Sequence, residues 1–458
     1  VRALVAASEK VRDSTHGVVT PFATPDTPML KRILALRRSA LQLRSERMPD
    51  VSAAHFVLYA APILRMFKDV PKVIHFHGPW SEEASRENEH KLRVRIYRSL
   101  EDYTYRHGTR YIVLSNAYGQ ILQRYGVDER TIRVVPGCVD VARFDIGVDR
   151  STARTTLGLP QDRPIVLCVR RLVSRMGIED LIDAMASVRQ SVPDVLLVIA
   201  GKGPLASALQ ARIEERGLAD RVRMAGFVSE ESLPTWYRAA DMSIVPTVAL
   251  EGFGLTTIES LASGTPVLVT PVGGLPEAVA PLSPDLVLER SGATALGAAL
   301  IDALLGRITL PDDTSCIRYA RSRFDLDVVA AQARARSAGG EVLAPSGCRA
   351  QGPAEMLLSD RRTVLRGMSR RHPTSSDHGP SSSTNGASSK AGRHADAARG
   401  AGSHSRLPCA CVHCRRRSIL ISFCQGSDDV PPRSMTDGFT AALLLADFAG
   451  LVGFQPFP

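Results

Sequence analysis

Hydrophobic positions fall into two successive runs in which short apolar segments alternate with helical stretches. In the first run, from about Val51 to Phe144, the apolar segments are Ala54–Tyr59, Lys72–His77, Arg110–Ser115 and Ile132–Pro136. Such alternation predicts a parallel sheet covered on both faces. After a polar link near Asp145 to Arg163 the pattern restarts with more regularity, and Ile165–Val169, Val195–Ala200, Val222–Ala225, Met242–Val245 and Val267–Val269 are predicted strands. Between them Gly177–Gln190 sets Ile178, Leu181, Ile182, Met185 and Val188 on one helical face. Ser229 is a predicted N-cap, with Glu230 and Glu231 in the first turn where the helix dipole favours acids. A closing helix is expected from Cys316 to about Arg336, carrying Ile317, Phe324, Val328 and Val329. The fold class is therefore α/β, with two tandem Rossmann-like doubly wound domains facing a cleft, over residues 1–145 and 146–336.

The two ends of the chain read differently. Residues 1–28 are short, polar and interrupted by Pro21, Pro25 and Pro28, so they are expected to hold no strands. No strand–Gly–Gly–helix unit precedes Asp50, which makes the first domain look incomplete at its start. Met29 to Arg47 is a basic amphipathic helix, with Leu30, Ile33, Leu34, Leu41 and Leu43 among Lys31, Arg32, Arg37, Arg38, Arg44 and Arg47. Such a helix can lie on an anionic membrane surface, the alternative being a core-packing helix with a solvated basic face. Residues 337–458 form a low-complexity tail expected to be disordered, because stretches such as Ser375–Lys390 cannot bury enough apolar surface to offset chain entropy. Within it, Cys409, Cys411, His413, Cys414 and Cys424 lack the paired spacing of common zinc modules, and Arg415–Arg417 reads as a solvated basic linker.

The most informative stretch is Glu251-Gly252-Phe253-Gly254-Leu255 and the helix that follows, where Glu251 and Glu259 flank a glycine-rich turn. Glycines let backbone approach a ligand, and the first free amides of a helix face anions, so Leu255, Thr256 and Thr257 are expected to meet a phosphate. A carboxylate beside a bound phosphate accepts hydrogen bonds from hydroxyls. One glutamate would take a sugar and the other a ribose.

Composition narrows the setting. The 458 residues are 44% hydrophobic with no run of about 20 apolar residues, which excludes a membrane-spanning helix, and eight cysteines without a framework fit a cytoplasmic chain. A net charge of +10 attracts polyanions without choosing among them. Nucleic acid is not expected as a partner, since the basic clusters lack interleaved aromatics or a folded platform.

With these residues in place the chain resembles retaining glycosyltransferases of the GT-B fold, group 1 or family 4, over roughly residues 50 to 336. The resemblance rests on Glu251 through Glu259, on A-x-G-x-P-V at Ala262 to Val267 and on G-G-x-x-E at Gly273 to Glu277. It rests also on Val169 to Gly177, Ile199 to Pro204, Gly226 to Val228 and Val134 to Asp140. It implies a nucleotide sugar held mainly by the second domain and a glycan, glycolipid or small-molecule acceptor held by the first. Transfer would retain anomeric configuration and would require no metal and no cofactor. Carried onto this sequence, Glu251 contacts donor-sugar hydroxyls and Glu259 the ribose. Gly252, Phe253, Gly254, Leu255 and Thr256 line the donor, with backbone amides at Phe253, Gly254 and Leu255. Arg171 binds the diphosphate, and His77 assists at the anomeric carbon. Family members usually carry a lysine where this chain has Met176, so Arg175 or Arg170 is expected to supply that charge. The competing readings are a catalytically inactive derivative that only binds nucleotide or nucleotide sugar, and a basic nucleic-acid-binding protein.

Overall fold

The computed structural model describes residues 2–7, 19–46, 48–87, 89–338 and 418–423. Its strands are β1 (Arg2–Ala6), β2 (Val19–Ala23), β3 (Val51–Ala54), β4 (Lys72–Phe76), β5 (Arg110–Val113) and β6 (Ile132–Val134), then β7 (Ile165–Val169), β8 (Leu196–Ala200), β9 (Val222–Gly226), β10 (Met242–Val245), β11 (Val267–Val269) and β12 (Ser418–Phe423). They form two parallel sheets, a seven-stranded one in the order β2-β1-β12-β3-β4-β5-β6 and a five-stranded one in the order β11-β10-β7-β8-β9. Helices cover both, as a parallel sheet with two buried faces requires. The two sheets give two lobes of the expected class.

The second lobe follows its sequence pattern closely. Ile165, Val166, Leu167 and Cys168 of β7 are all buried, as are Leu197, Val198, Ile199 and Ala200 of β8. Ile178, Leu181, Ile182, Met185 and Val188 of the helix Ile178–Ser191 point into the same core. Two details differ. The helix after Ser229 begins only at Leu233, and Ser229 instead caps a turn by accepting from the Ser232 amide at 3.3 Å. The expected closing helix is broken at Asp325 into Asp313–Phe324 and Leu326–Ala338. The break occurs where Val139 donates to the Phe324 carbonyl and accepts from the Leu326 amide, a contact far apart in sequence.

The first lobe corrects three expectations. Residues 1–28 do supply strands, β1 and β2. Ala3, Leu4, Val5 and Ala6 are fully buried, and Pro21 is tolerated because β2 lies at the edge of its sheet. The Ala54–Tyr59 segment is not a strand. Pairing ends at Ala54, and Val57–Ala60 form a short buried helix, the ambiguity inherent in a brief apolar run. Finally, Ser418–Phe423, assigned to a disordered tail, form β12, paired in parallel with β1 on one side and β3 on the other. The rest of that tail, with its cysteine cluster and arginine runs, lies outside the described residues.

Candidate active site

The donor turn follows β10 and opens the helix Leu255–Ala262. Gly254 takes φ 75°, and a Cβ there would fall 2.4 Å from Leu275 Cδ2. Gly273 is placed more tightly still, since a Cβ on it would lie 1.8 Å from the Glu251 carbonyl oxygen, while the next amide, Gly274, donates to that oxygen at 3.0 Å. The two glycine motifs thus pack backbone against backbone. Phe253 is buried against Phe324, so what it offers a ligand is its amide rather than its ring. Among the described residues the Leu255 and Thr256 amides have no acceptor, whereas Thr257, expected to be free, donates to the Gly254 carbonyl at 2.8 Å. The buried hydroxyls of Thr256 and Thr257 also lack partners. A helix start with open amides and unsatisfied hydroxyls is built for an anion.

Arg170 anchors the first of the two acids. Its Nη2 pairs with Glu251 Oε2 at 2.9 Å and donates to Thr247 Oγ1 at 2.8 Å, and its charge also acts on Glu259. Glu259 accepts from the Tyr237 hydroxyl at 3.0 Å. Burial raises its pKa, opposed by that hydrogen bond and by Arg143 and Arg170. The Nε of Arg170 is buried without a partner. Glu251 is therefore paired with a buried guanidinium, whereas Glu259 is held by a tyrosine hydroxyl.

The other cations separate in role. Arg171 is exposed and its side chain makes no hydrogen bond or ion pair among the described residues, yet its charge reaches Glu83 of the first lobe. That leaves it available to a diphosphate. Arg175 is placed differently from expectation, buried beside Met176 and held by Glu83 at 3.5 Å and Glu87 at 3.4 Å, both from the first lobe. It also donates to the Leu250 carbonyl at 3.1 Å.

His77 follows β4 and faces solvent. Behind it His55 and His75 stack with ring centroids 3.9 Å apart, and His55 Nδ1 lies 3.1 Å from His77 Nε2. Burial brings His75 to about 3, with the neighbouring His77 adding to it, and the exposed His77 is lowered in the same direction by the protein packed around it. The site histidine is a neutral hydrogen-bonding ring at neutral pH. Gly78 sets it beside the donor turn, because a Cβ on Gly78 would lie 2.8 Å from Glu83 Oε1 and 3.3 Å from the Tyr118 hydroxyl, which donates to Leu250 O.

Three residues that contact this region were not singled out from sequence: Thr247, Tyr237 and Tyr118. Glu277 had been quoted in its motif without a role. It accepts from the Asn116 amide at 2.9 Å, the Ala117 amide at 2.9 Å and Asn116 Nδ2 at 2.8 Å, capping the first-lobe helix Asn116–Arg124 from the second lobe.

The same regions match known proteins. Residues 149–323 fit the family described as "Glycosyl transferases group 1", and residues 3–143 fit "Glycosyltransferase Family 4". A D-inositol 3-phosphate glycosyltransferase of Segniliparus rotundus is 40% identical over 166 residues, 35% of this chain and 36% of that protein. A 2-deoxystreptamine N-acetyl-D-glucosaminyltransferase of Streptomyces fradiae is 28% identical over 284 residues, 59% of this chain and 66% of that protein. The chain thus spans less than two thirds of the length of these relatives. Among solved structures, Anabaena Alr3699/HepE in complex with UDP and glucose superposes with a TM-score of 0.59 at 21% identity, covering 73% of this chain and 90% of that one. Sucrose-phosphate synthase from Thermosynechococcus elongatus superposes with a TM-score of 0.57 at 22% identity, covering 68% and 78%. Both share the fold.

Proposed function

Because the chain belongs to the group 1 glycosyltransferases, we propose that it moves a hexosyl group from a nucleoside-diphosphate sugar to an acceptor hydroxyl with retention of configuration. The observation that carries this reading is the buried Arg170–Glu251 pair next to a helix start with open amides, with Glu259 inside that helix. The second lobe, residues 146–336, holds the donor, and the first, residues 1–145, the acceptor. Glu259 accepts from ribose hydroxyls and Glu251 from sugar hydroxyls. The amides of Leu255 and Thr256, with Arg171, meet the diphosphate. Preorganised cationic and amide donors of this kind stabilise a departing phosphate, so the reading assigns no role to a metal.

In the reaction the bond from anomeric carbon to diphosphate oxygen breaks, the acceptor oxygen bonds to that carbon on the same face, and its proton passes to the leaving phosphate. Neutral His77 holds a sugar hydroxyl near the anomeric carbon. The relatives' names point to polyol-type acceptors such as inositol phosphates and aminocyclitols. The structural neighbour with UDP and glucose makes UDP-sugars the first donors to test, and GDP-mannose, named in a mannosyltransferase relative, the next.

Thermal shift against nucleoside diphosphates and their sugars should single out one base, since a ligand of the native state stabilises it by mass action. Turnover with that donor is expected to fall at least a hundredfold in Glu251→Ala and His77→Ala, in line with about 10²–10³ for one preorganised group. Binding of nucleotide without turnover by the wild type would turn the assignment toward a nucleotide-binding derivative.

We also propose that the helix Met29–Glu46 rests on an anionic membrane. Leu30 is 70% exposed, and Leu34 and Leu41 are exposed beside it, among the exposed basic side chains of Lys31, Arg38 and Arg44. Flotation with phosphatidylglycerol vesicles, lost in a Leu30→Asp/Leu34→Asp variant, is the expected result.

A further inference from the structure

Leu250, the residue before Glu251, is the one non-glycine among the described residues with a left-handed backbone, at φ 57°. A leucine keeps that conformation only where its surroundings hold it. Here its carbonyl accepts from the Tyr118 hydroxyl at 3.1 Å and from Arg175 Nη1 at 3.1 Å. Tyr118 belongs to the first lobe. Arg175 belongs to the second, yet its guanidinium is held by first-lobe Glu83 and Glu87. Both restraints on the strained peptide thus lead to the first lobe. The Tyr118 ring lies against the same turn, since a Cβ on Gly252 would fall 2.8 Å from it. Glu251 also keeps second-lobe contacts, to Arg170 and through its carbonyl to the Gly274 amide, whereas Glu259 lies inside the helix with its side chain held by Tyr237 and no left-handed leucine before it.

We propose that Tyr118 is a positioning residue that makes the sugar-binding half of the donor site depend on the first lobe. Its hydroxyl, through the Leu250 carbonyl, holds the left-handed turn that aims Glu251. When the lobes part, the tie is lost and Leu250 relaxes, so that Glu251 turns about its Arg170 anchor and its aim is lost, while Glu259 and the helix amides stay. The nucleotide is then gripped in either state, and the sugar is gripped only when the acceptor lobe is docked. This inference rests on the glycosyl-transfer reading above.

The test is Tyr118→Phe, which keeps the ring and removes the hydroxyl, compared with Leu250→Gly and the double variant. For Tyr118→Phe, kcat/KM for the nucleotide sugar should fall about five- to tenfold, the usual weight of one hydrogen bond. Calorimetric affinity for the nucleoside diphosphate should stay within about twofold of wild type. Glycine adopts φ 57° without strain, so adding Leu250→Gly to Tyr118→Phe should recover at least half of the loss. A merely structural tyrosine gives no such recovery. The proposal is overturned if nucleotide affinity falls in parallel with kcat/KM, or if the double variant is no better than Tyr118→Phe. Should the wild type bind nucleotide sugar without turnover, the glycosyl-transfer reading fails on its own. The tie is then decided by the same calorimetry, which must show Tyr118→Phe weakening the nucleotide sugar and sparing the nucleoside diphosphate. A wild type that binds neither ligand overturns both.

Discussion

A neutral imidazole buried at His75 ties stability to acidity in a definite direction. Its pKa is brought to about 3, against 6.5 for an ordinary histidine. Below about 6.5 the unfolded chain binds a proton that the native state does not, so stability fully present above that value is lost as pH falls toward about 3. The melting temperature should therefore drop between pH 7 and pH 5, and His75→Phe should flatten that slope; an unchanged slope would speak against the buried stack. Arg170 shows what sequence could and could not give at this scale. It was visible as a spare cation beside Arg171, but which neighbour turns inward depends on how β7 ends. In the fold Arg170 is buried against Glu251 and Arg171 faces solvent.

Among elements, the helix Asn116–Arg124 shows how one lobe completes the other. Ser115 caps it locally by accepting from the Tyr118 amide, and Glu277 supplies two more acceptors from the second lobe. Glu277→Ala should lower stability by about 1–2 kcal/mol, the range for a lost helix cap, as measured by urea denaturation. A cost indistinguishable from zero would mean that water replaces the carboxylate. Strands of the second lobe were legible because β7, β8 and β11 are continuous apolar runs bounded by turns. Elements of the first lobe were legible where they are long, as with Met29–Glu46, and illegible where they are brief or edge-placed. Val57–Ala60 and Pro21 in β2 are the examples. The donor motif was readable residue by residue, whereas Tyr118 and Tyr237 were not, since their partners Leu250 and Glu259 are distant in sequence.

At the scale of the whole molecule, the first sheet is drawn from both ends of the chain. β12 pairs with β1 from Arg2 to Ala6 and with β3 from Val51 to Ala54, so these two strands do not touch each other. A chain ending at Ala338 would leave both facing edges without hydrogen-bond partners, a costly arrangement for buried backbone. Hydrogen exchange in such a variant should speed up across Arg2–Ala6 and Val51–Ala54 while β7 and β8 keep their protection; equal protection in both proteins would show that β12 contributes nothing to the sheet.

The placement of β12 also sets an order of events during synthesis. Every strand of the second sheet has been made once residue 269 leaves the ribosome, but the first sheet lacks a central strand until residue 423 emerges. Pairings so remote in sequence form slowly. The second lobe is therefore assembled while its companion is still waiting for β12, and that interval is when a nascent chain is most open to chaperones and to misassociation with its neighbours.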